Sequence, residues 1–381
     1  MDFSLTEEQR LIRQTVREFA EQEIKPVAQE LDEKEKFSTE LTARMGELGL
    51  FGMYLPEEYG GQAMDTLSYI IAVEELSRVD GSQAATLAAH NSLGIGPIYY
   101  YGTKEQKDKY LPKLCTGKAL WSFGLTEPNA GSDSRGTKTT AKLENGNWVI
   151  NGSKIFITNG SVDISVGSTV QTVTGEKDGK KTFSTIIVEN GTEGFKAIPM
   201  HKKMMWRASN TSELYFDNCI VPEENLLGKI GEGSHIMLST LDNGRLSIAA
   251  MGLGLAQGAY EMALKYANER QQFGRSISKF QIVAFKLADM ALKVELARNL
   301  LYKACWLKDN KKPFAKEAAM AKLYCSEIAK EVADDAVQIH GGYGLMKEYD
   351  IERFYRDQRL LQIGEGTSEI QRLVISRYIG C

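Results

Sequence analysis

One carboxylate near the carboxyl end of the chain has the surroundings that proton abstraction requires. Glu365 stands between Gly364 and Gly366 in a largely apolar stretch. Glycines on both sides allow a backbone and a substrate to approach closely. A carboxylate withdrawn from water has a raised pKa and can act as a base. The alternative is an ordinary acidic residue at the start of a helix.

Three further segments carry residue types that suit a flat, phosphorylated ligand. Residues 125–133 form a small polar turn whose backbone N–H groups can meet a ligand without bulky side chains in the way. Phe156 and Thr158 offer a ring for stacking and a hydroxyl for hydrogen bonding. Arg245 and Arg270 are delocalised charges suited to phosphate groups. Each segment alone also fits a plainer role: an ordinary turn, a core phenylalanine or surface charge.

The hydrophobic pattern that must position these residues is helical at both ends of the chain. In residues 1–124, Thr6 and Gln9 match a capping box, and the helical run that follows should stop at Pro26. In residues 231–381, apolar side chains recur at steps of three and four, as a helix bundle requires. That stripe consists of Val283, Leu287, Met290, Val294, Ala297 and Leu301.

Residues 125–230 have a different texture and predict a β domain. They are rich in Gly, Thr, Asn and β-branched residues. Asn-Gly pairs that begin at Asn145, Asn151 and Asn159 mark turns between short strand-like runs. The order helical, β, helical predicts an α+β fold of three domains, with boundaries after residues 124 and 230.

Bulk composition restricts the classes of function. A net charge of −4 and a pI of about 5.8 lack the basic footprint of nucleic-acid or anionic-membrane binding. Five cysteines without a CxxC pair favour reduced thiols over disulfides or a metal site. The polar amino-terminal segment has no secretory pattern, and no apolar run approaches the ~20 residues of a membrane span. We therefore expect a cytoplasmic protein with no metal, no nucleic-acid partner and no membrane partner.

Taken together and in this order, five motifs resemble the acyl-CoA dehydrogenase family over essentially the whole chain. They are Leu-Thr-Glu-Pro-Asn-Ala-Gly-Ser-Asp at 125–133, Lys-Ile-Phe-Ile-Thr-Asn-Gly at 154–160, Arg-Gln-Gln-Phe-Gly at 270–274, Gln-Ile-His-Gly-Gly at 338–342 and Glu-Gly-Thr-Ser-Glu at 365–369. The resemblance implies an N-terminal helical domain, a middle β domain and a C-terminal four-helix bundle. It also implies a homotetramer, a dimer of dimers, with one FAD per subunit.

The same resemblance implies which residues contact FAD and which contact an acyl-CoA substrate. The FAD contacts are Phe123, Leu125, Thr126, Ser132, Phe156, Ile157, Thr158, Arg270, Phe273, Gln281, Gln338, Ile339, Gly341, Gly342, Thr367 and Glu369. The substrate contacts are Ser132, Asp242, Arg245, Gly366, Gly364 and Gly94. By the resemblance, the middle domain lines the flavin ring, and residues 270–342 hold the FAD tail, partly across a subunit interface.

Glu365 occupies the position of the family's catalytic base, which removes the α-proton of the thioester. In relatives, the backbone N–H of this residue and a flavin hydroxyl hydrogen-bond the thioester carbonyl, as in an oxyanion hole. The β-carbon gives a hydride to the flavin, the product is a 2-enoyl-CoA, and the electrons pass to an electron-transfer flavoprotein. Some members carry the base on an earlier helix instead. The corresponding position here is Gly244, which favours Glu365.

Two glycines bear on the identity of the acyl group. Gly364 stands where the family commonly has Tyr, and Gly94 stands in a second pocket-lining region where short-chain members often have more bulk. Missing bulk leaves apolar volume that a slim chain does not fill. We therefore expect a cyclic substrate such as cyclohexanecarboxyl-CoA, or a branched one. The alternatives are a straight short- or medium-chain dehydrogenase acting on butyryl-CoA, an acyl-CoA oxidase on the same fold, and a non-catalytic helical scaffold.

Overall fold

The amino-terminal part of the chain is helical, as predicted. The computed structural model describes residues 4–381. The N-terminal helices are α1 (Glu7–Phe19), α2 (Lys25–Glu33), α3 (Thr39–Glu47), α4 (Thr66–Ser77), α5 (Gly81–Ala89), α6 (Gly96–Tyr101) and α7 (Lys104–Leu114). The capping box at α1 is confirmed, because the Thr6 hydroxyl accepts a hydrogen bond from the backbone N–H of Gln9 at 3.1 Å.

Helical structure continues through Pro26. A π-helical turn, Ala20–Ile24, joins α1 to α2, and Pro26 lies in the first turn of α2. The prediction that the helix stops there is wrong. The first turn of a helix requires no N–H from proline, and the wider π turn before it shifts the register of the hydrogen bonds.

A single mixed sheet forms the middle domain. Its strands are β1 (Leu120–Gly124), β2 (Thr140–Glu144), β3 (Asn147–Thr158), β4 (Ser165–Lys177), β5 (Lys180–Glu189), β6 (Phe195–Pro199), β7 (Thr211–Pro222) and β8 (Leu226–Leu227). The strand order is β6-β7-β3-β2-β4-β5-β8, and β1 pairs in parallel with β4. The sheet therefore begins at Leu120, ahead of the predicted start of the β domain at residue 125.

The three Asn-Gly pairs have two different outcomes. Asn145, with a φ of 51°, lies in the tight turn between β2 and β3, and Asn159, with a φ of 63°, follows the end of β3. Asn151 instead lies inside β3, where the pairing with β7 shifts register between Ile150 and Gly152. The prediction of a turn at that pair is wrong, because a bulge accommodates the glycine within a continuous strand.

The C-terminal domain is a helical bundle. It contains α8 (Gly233–Glu269), β9 (Gln271–Gln272), β10 (Arg275–Ser276), α9 (Gln281–Asp309), α10 (Ala315–His340), α11 (Ile351–Asp357) and α12 (Ser368–Tyr378). Helix α8 packs against α9 and α10, and against α4 of the N-terminal domain. The predicted stripe on α9 is buried from Leu287 to Leu301, and Val283 packs partly buried at its start.

His90 ties the N-terminal helices to the sheet. It begins the π-helical segment His90–Ile95, which joins α5 to α6. Its Nδ1 accepts a hydrogen bond from the Trp121 backbone N–H at 3.0 Å, and its Nε2 lies 2.8 Å from the Leu114 carbonyl oxygen. Burial lowers the pKa of His90 to about 4, so the ring is neutral and makes both bonds. This linkage fixes the turn that contains Leu93 and Gly94 beside the sheet.

Hydropathy along residues 4–381 reveals no helix with both the length and the apolarity of a membrane span. Cys115, Cys219, Cys305 and Cys325 are buried free thiols, and Cys381 is an exposed one. The cytoplasmic location inferred from the sequence stays a prediction.

Candidate active site

Glu365 lies in a short loop between the 3₁₀ turn Gln358–Gln362 and α12. Glu365 has a φ of 52° and Gly366 a φ of 91°, so both are left-handed. Glycine adopts this conformation freely, whereas another residue keeps it only where its surroundings impose it. Three hydrogen bonds do so here. Lys322 Nζ donates to the Gly366 carbonyl at 2.7 Å, and Gln371 Nε2 donates to the carbonyls of Glu365 at 3.2 Å and Gly366 at 3.0 Å.

The Glu365 carboxylate is seated directly on α8. A Cβ added to Gly244 would collide with Glu365 Oε2 and would lie 3.1 Å from Leu93 Cδ2. Position 244 carries the base in some members of the resembled family. In this chain its glycine lies directly against the Glu365 carboxylate. Among residues 4–381, the buried Oε2 has no hydrogen-bond partner. A glycine at position 244 is a spatial requirement for this arrangement.

Burial sets the electrostatics of Glu365. Withdrawal from water raises the pKa of Glu365 to about 7, while the positive charges of Lys322 and Arg245 act in the opposite direction. A carboxylate with a pKa near neutrality is both a competent proton acceptor and available in its ionised form. The geometry and the charge distribution together fit a general base.

Arg245 lies one turn beyond Asp242 on α8 and forms an ion pair with it. The guanidinium is buried, and its Nε has no hydrogen-bond partner in the described part of the chain. Burial raises the pKa of the Asp242 carboxyl group, and the positive charge of Arg245 offsets only part of this rise. The pair therefore keeps a fixed donor next to the base, which suits a polar substrate group.

A buried ion pair joins the two predicted flavin segments. Lys154 Nζ donates to Glu127 Oε1 at 2.8 Å and to the Leu125 carbonyl at 3.2 Å. Glu127 also accepts from the backbone N–H groups of Lys138 at 2.7 Å and Thr139 at 3.0 Å. Lys154 has no exposed surface, and the 125–133 turn is therefore clamped to strand β3.

Phe156 projects from the end of β3 in a strained conformation. Its φ is 61°, and 62% of its surface is exposed. Thr158, on the same strand, and Thr126, in the 125–133 turn, are both half-buried. The strand and the turn are joined by a hydrogen bond from the Ile155 N–H to the Thr126 carbonyl at 2.9 Å. An exposed aromatic ring beside hydroxyl groups suits a flat heterocycle.

Ile157 differs from its two neighbours. Its side chain is buried in the core of the middle domain with Ile150 and Leu214. Successive side chains along a strand point to opposite faces, so Ile157 turns inward where Phe156 and Thr158 face outward. The predicted contact of Ile157 with a flavin stays a prediction.

Phe123 and Leu125 connect the sheet to the helix that carries Gly244. Both are buried against Met237 of α8, and Leu93 packs against the same cluster. These side chains therefore approach the Glu365 site from the side of the sheet. Ser132, predicted to meet both FAD and substrate, is exposed in the turn that follows.

A second region lies at the far end of α8, and we name it the Arg270 cavity. It has a volume of about 510 Å³ and is lined by Tyr266, Arg270, Gln272, Ile277, Ile339, His340, Gly341, Gly342, Tyr343 and Met346. The Arg270 guanidinium lies 5.5 Å from the Tyr343 ring centroid. An open cavity with one arginine suits a phosphorylated group.

The remaining predicted FAD contacts differ in how exposed their side chains are. Phe273 is 92% exposed and meets Phe280, the residue before Gln281, at a ring-centroid distance of 5.9 Å. Gln281 and Gln338 are exposed. The Thr367 hydroxyl accepts from the Ile370 N–H at 3.3 Å and caps α12, whose first turn carries the exposed Glu369. Their roles toward FAD stay predictions.

The two glycines behind the substrate prediction have different surroundings. A Cβ at Gly94 would lie 2.7 Å from the Trp121 carbonyl oxygen. The interpretation of Gly94 as open pocket volume is therefore wrong, because the backbone of β1 fills that space. A Cβ at Gly364 would lie 3.6 Å from Leu360 Cγ, an ordinary contact. Only Gly364 leaves room for a larger side chain.

Sequence reasoning missed the residues that hold the base loop. Lys322 and Gln371 are completely buried, and both donate to the loop carbonyls. Lys322 stands among apolar residues of α10, which was a detectable signal, since an unpaired lysine on a core face is unusual. Gln371 gave no comparable signal in the sequence.

Three family models together match most of the chain. Family models described as the acyl-CoA dehydrogenase N-terminal, middle and C-terminal domains match residues 6–118, 122–219 and 231–380. The chain belongs to the acyl-CoA dehydrogenase family, and it is an oxidoreductase of that class. The predicted α+β fold of three domains is confirmed.

Three similar proteins were found over nearly their full lengths. The short-chain specific acyl-CoA dehydrogenase of Clostridium acetobutylicum is 50% identical, with 99% of each chain covered. The structure of butyryl-CoA dehydrogenase from Megasphaera elsdenii has a TM-score of 0.96 at 43% identity, with 100% of each chain covered. A structure from a study of the electron transferring flavoprotein of Acidaminococcus fermentans has a TM-score of 0.97 at 48% identity, again with 100% of each covered.

FAD is the cofactor of this family and of this chain. The residues present fit it. The exposed ring of Phe156, the hydroxyl groups of Thr126 and Thr158, and the guanidinium of Arg270 above an open cavity match a flavin joined to a phosphorylated tail.

Proposed function

We propose that the chain removes hydrogen from the α and β carbons of a short, straight-chain acyl-CoA such as butyryl-CoA and forms the 2-enoyl-CoA. The observation that carries this proposal is the buried, unpaired Glu365 Oε2 seated on Gly244. Its pKa of about 7 suits acceptance of a weakly acidic α-proton near neutral pH. The proposal assigns Glu365 as the catalytic base.

The neighbours of Glu365 prepare it for this step. Gly244 packs against the carboxylate, and Leu93 packs beside Gly244; this burial keeps water away and strengthens electrostatic interactions at the site. We assign Asp242 and Arg245 to the CoA thioester, because the buried Arg245 Nε is an unused donor within residues 4–381. Ser132 and Gly366 are proposed substrate contacts on either side.

When bound, FAD supplies the acceptor for the hydride that leaves the β-carbon. We assign its ring system to the joined segments of the middle domain and its tail to the Arg270 cavity. The residues so assigned are Phe123, Leu125, Thr126, Ser132, Phe156, Thr158, Arg270, Phe273, Gln281, Gln338, Ile339, Gly341, Gly342, Thr367 and Glu369. The Lys154–Glu127 pair supports the ring-binding segments from beneath.

A cyclic or branched acyl group is not supported, and the straight-chain alternative fits better. Two similar proteins described above are named for short-chain and butyryl substrates. Neither name gives a cyclic or branched substrate.

The proposed electron acceptor is an electron-transfer flavoprotein. Support comes from the similar chain found in the study of such a flavoprotein. An oxidase on the same fold is the outcome that would replace this assignment. Reduced enzyme should be reoxidised quickly by an electron-transfer flavoprotein and slowly by air, and fast reoxidation by air alone would favour the oxidase.

We also propose a homotetramer built as a dimer of dimers. Helix α9 carries a row of exposed apolar side chains: Ile282 is 75% exposed, Phe285 58%, Leu292 58% and Leu296 50%. Contiguous apolar surface of this kind marks protein interfaces. Sedimentation of the flavin-loaded protein tests the assembly, with a tetramer expected and a stable monomer contradicting it.

A substrate comparison tests the proposed reaction. Flavin bleaching is followed anaerobically after addition of butyryl-CoA, hexanoyl-CoA, isobutyryl-CoA and cyclohexanecarboxyl-CoA. Butyryl-CoA should give the largest kcat/KM, with differences of roughly tenfold or more, since apolar pockets discriminate by about 1–3 kcal/mol per methylene. A cyclic or branched thioester that clearly outranks butyryl-CoA contradicts the substrate assignment.

A further inference from the structure

The left-handed pair Glu365 and Gly366 needs a partner that holds its carbonyl groups, and α10 provides one. Lys322 has no exposed surface, and its Nζ donates to the Gly366 carbonyl at 2.7 Å. In the described part of the chain, no carboxylate comes within ion-pair distance of this ammonium. Its hydrogen-bonded contact is therefore with the loop that carries the proposed base.

A buried ammonium without a carboxylate partner is unfavourable for folding, and an apolar side chain of similar length would fill the same space at lower cost. The pKa of Lys322 is lowered to about 8, chiefly by burial and in smaller part by the charge of Arg245. Glu365, Glu327 and Glu369 act in the opposite direction. The lysine is therefore mostly protonated at neutral pH, and its charge faces Glu365.

We propose that Lys322 is a positioning residue for the base. Through the Gly366 carbonyl it holds the loop in the conformation that seats the Glu365 carboxylate on Gly244, and its positive charge favours the ionised carboxylate. Gln371 shares the first role but carries no charge for the second. This assignment rests on the proposed function of Glu365.

The test uses the full-length, flavin-loaded protein and two variants. Lys322→Met removes both the hydrogen bond and the charge, and Lys322→Gln keeps a donor but removes the charge. Lys203→Met is the matched control. Lys203 Nζ also donates to a backbone carbonyl, that of Trp206 at 2.9 Å, and burial lowers its pKa to about 8, but it lies in the middle domain.

Lys322→Met should lower kcat roughly 10- to 100-fold at neutral pH while KM and flavin content change by less than about threefold. The loss should shrink as pH rises, because Glu365 then ionises without help from the lysine. Lys322→Gln should show a smaller loss with the same pH trend. Lys203→Met should keep the wild-type pH profile.

A double-mutant cycle separates positioning from an unrelated structural effect. If Lys322 acts through the base, Glu365→Gln combined with Lys322→Met loses no more activity than Glu365→Gln alone. Multiplied losses in the double variant, or a wild-type rate and pH profile in Lys322→Met, overturn the assignment. Should Lys322→Met fail to fold, Lys322→Gln carries the same cycle. Full activity in Glu365→Gln overturns the proposed function itself, and with it this assignment.

Discussion

The Glu365 loop and the Arg270 cavity differ in how much of their surroundings one chain supplies. The Glu365 carboxylate rests on Gly244, and buried side chains of α10 and α12 hold its loop. The Arg270 cavity is open, and around it Phe273 is 92% exposed and Leu345 74% exposed. The side chains around the proposed base therefore all come from one chain, whereas the region assigned to the FAD tail exposes apolar surface that a second copy would cover in the proposed assembly.

This contrast predicts that variants at the two regions fail in different ways. Changes around Glu365 should lower the rate and leave flavin content and assembly intact. Changes at the Arg270 cavity should release flavin and loosen the assembly while the chemistry of loaded enzyme survives. Three of the following four variants test the contrast, and the variant at Lys154 tests the flavin segments of the middle domain; they are taken from the largest expected effect to the smallest.

Glu365→Gln should lower kcat by roughly 10²–10⁴-fold, because the amide has nearly the same shape but cannot accept a proton. Turnover of butyryl-CoA is measured on protein whose flavin absorbance matches wild type. Glu40→Gln is the control, since Glu40 is an exposed carboxylate on α3, outside both regions. Near-normal turnover in flavin-loaded Glu365→Gln would remove this residue from the chemistry.

Gly244→Ala should lower kcat by about 10²-fold with flavin retained. The added Cβ would collide with Glu365 Oε2 and unseat the carboxylate, and displacements of about 1 Å have effects of this size. Gly96→Ala is the matched helix control, because its Cβ would lie 3.7 Å from the Tyr54 hydroxyl, an ordinary contact. Equal rates for the two alanine variants would show that the seat on α8 is not required.

Lys154→Met should destabilise the middle domain and weaken flavin binding. Removal of one partner from a buried pair leaves Glu127 uncompensated, which is unfavourable by about 3–5 kcal/mol. The thermal midpoint and the ratio of flavin to protein absorbance measure both effects. Lys142→Met on β2 is the control, since that lysine is exposed. Unchanged flavin retention in Lys154→Met would mean that the pair does not support the flavin segments.

Arg270→Ala should weaken FAD retention by roughly tenfold to a hundredfold and lower the stability of the assembly, because a charge-assisted contact to phosphate is lost. Gel filtration combined with flavin absorbance measures both at once. Lys265→Ala is the control on the same helix, since Lys265 is exposed. If Arg270→Ala keeps flavin and assembly, Arg270 is ordinary surface charge, and the contrast between the two regions loses its basis.

The sequence supported the domain order, the base candidate and the two segments of the middle domain, because their signals are local. Capping at Thr6 and the apolar stripe ending at Leu301 depend on spacing along one helix, and both were found where predicted. The misplaced turn at Asn151 shows the limit of such signals, since bulges and hairpins both select glycine.

The features that the sequence did not predict depend on contacts between distant parts of the chain. Gly94 was taken as pocket volume, but the backbone at Trp121 fills the space beside it. Lys322 is on α10, and α11 separates it from Glu365 in the sequence. Only the packing of α10 against the loop brings the two residues together. Ile157 could not be separated from Phe156 by motif alone, because the strand's facing decides which side chain is outward.

The pH dependence of flavin reduction by α-deuterated butyryl-CoA tests the central claim most directly. Glu365 must be ionised to accept the α-proton, so the rate should rise with pH through about 7, the pKa that burial gives this carboxyl group. A primary isotope effect at the α-carbon should accompany the rise, and both features should be lost in Glu365→Gln. A pH-independent rate with no α-isotope effect in wild-type protein would contradict proton abstraction by Glu365.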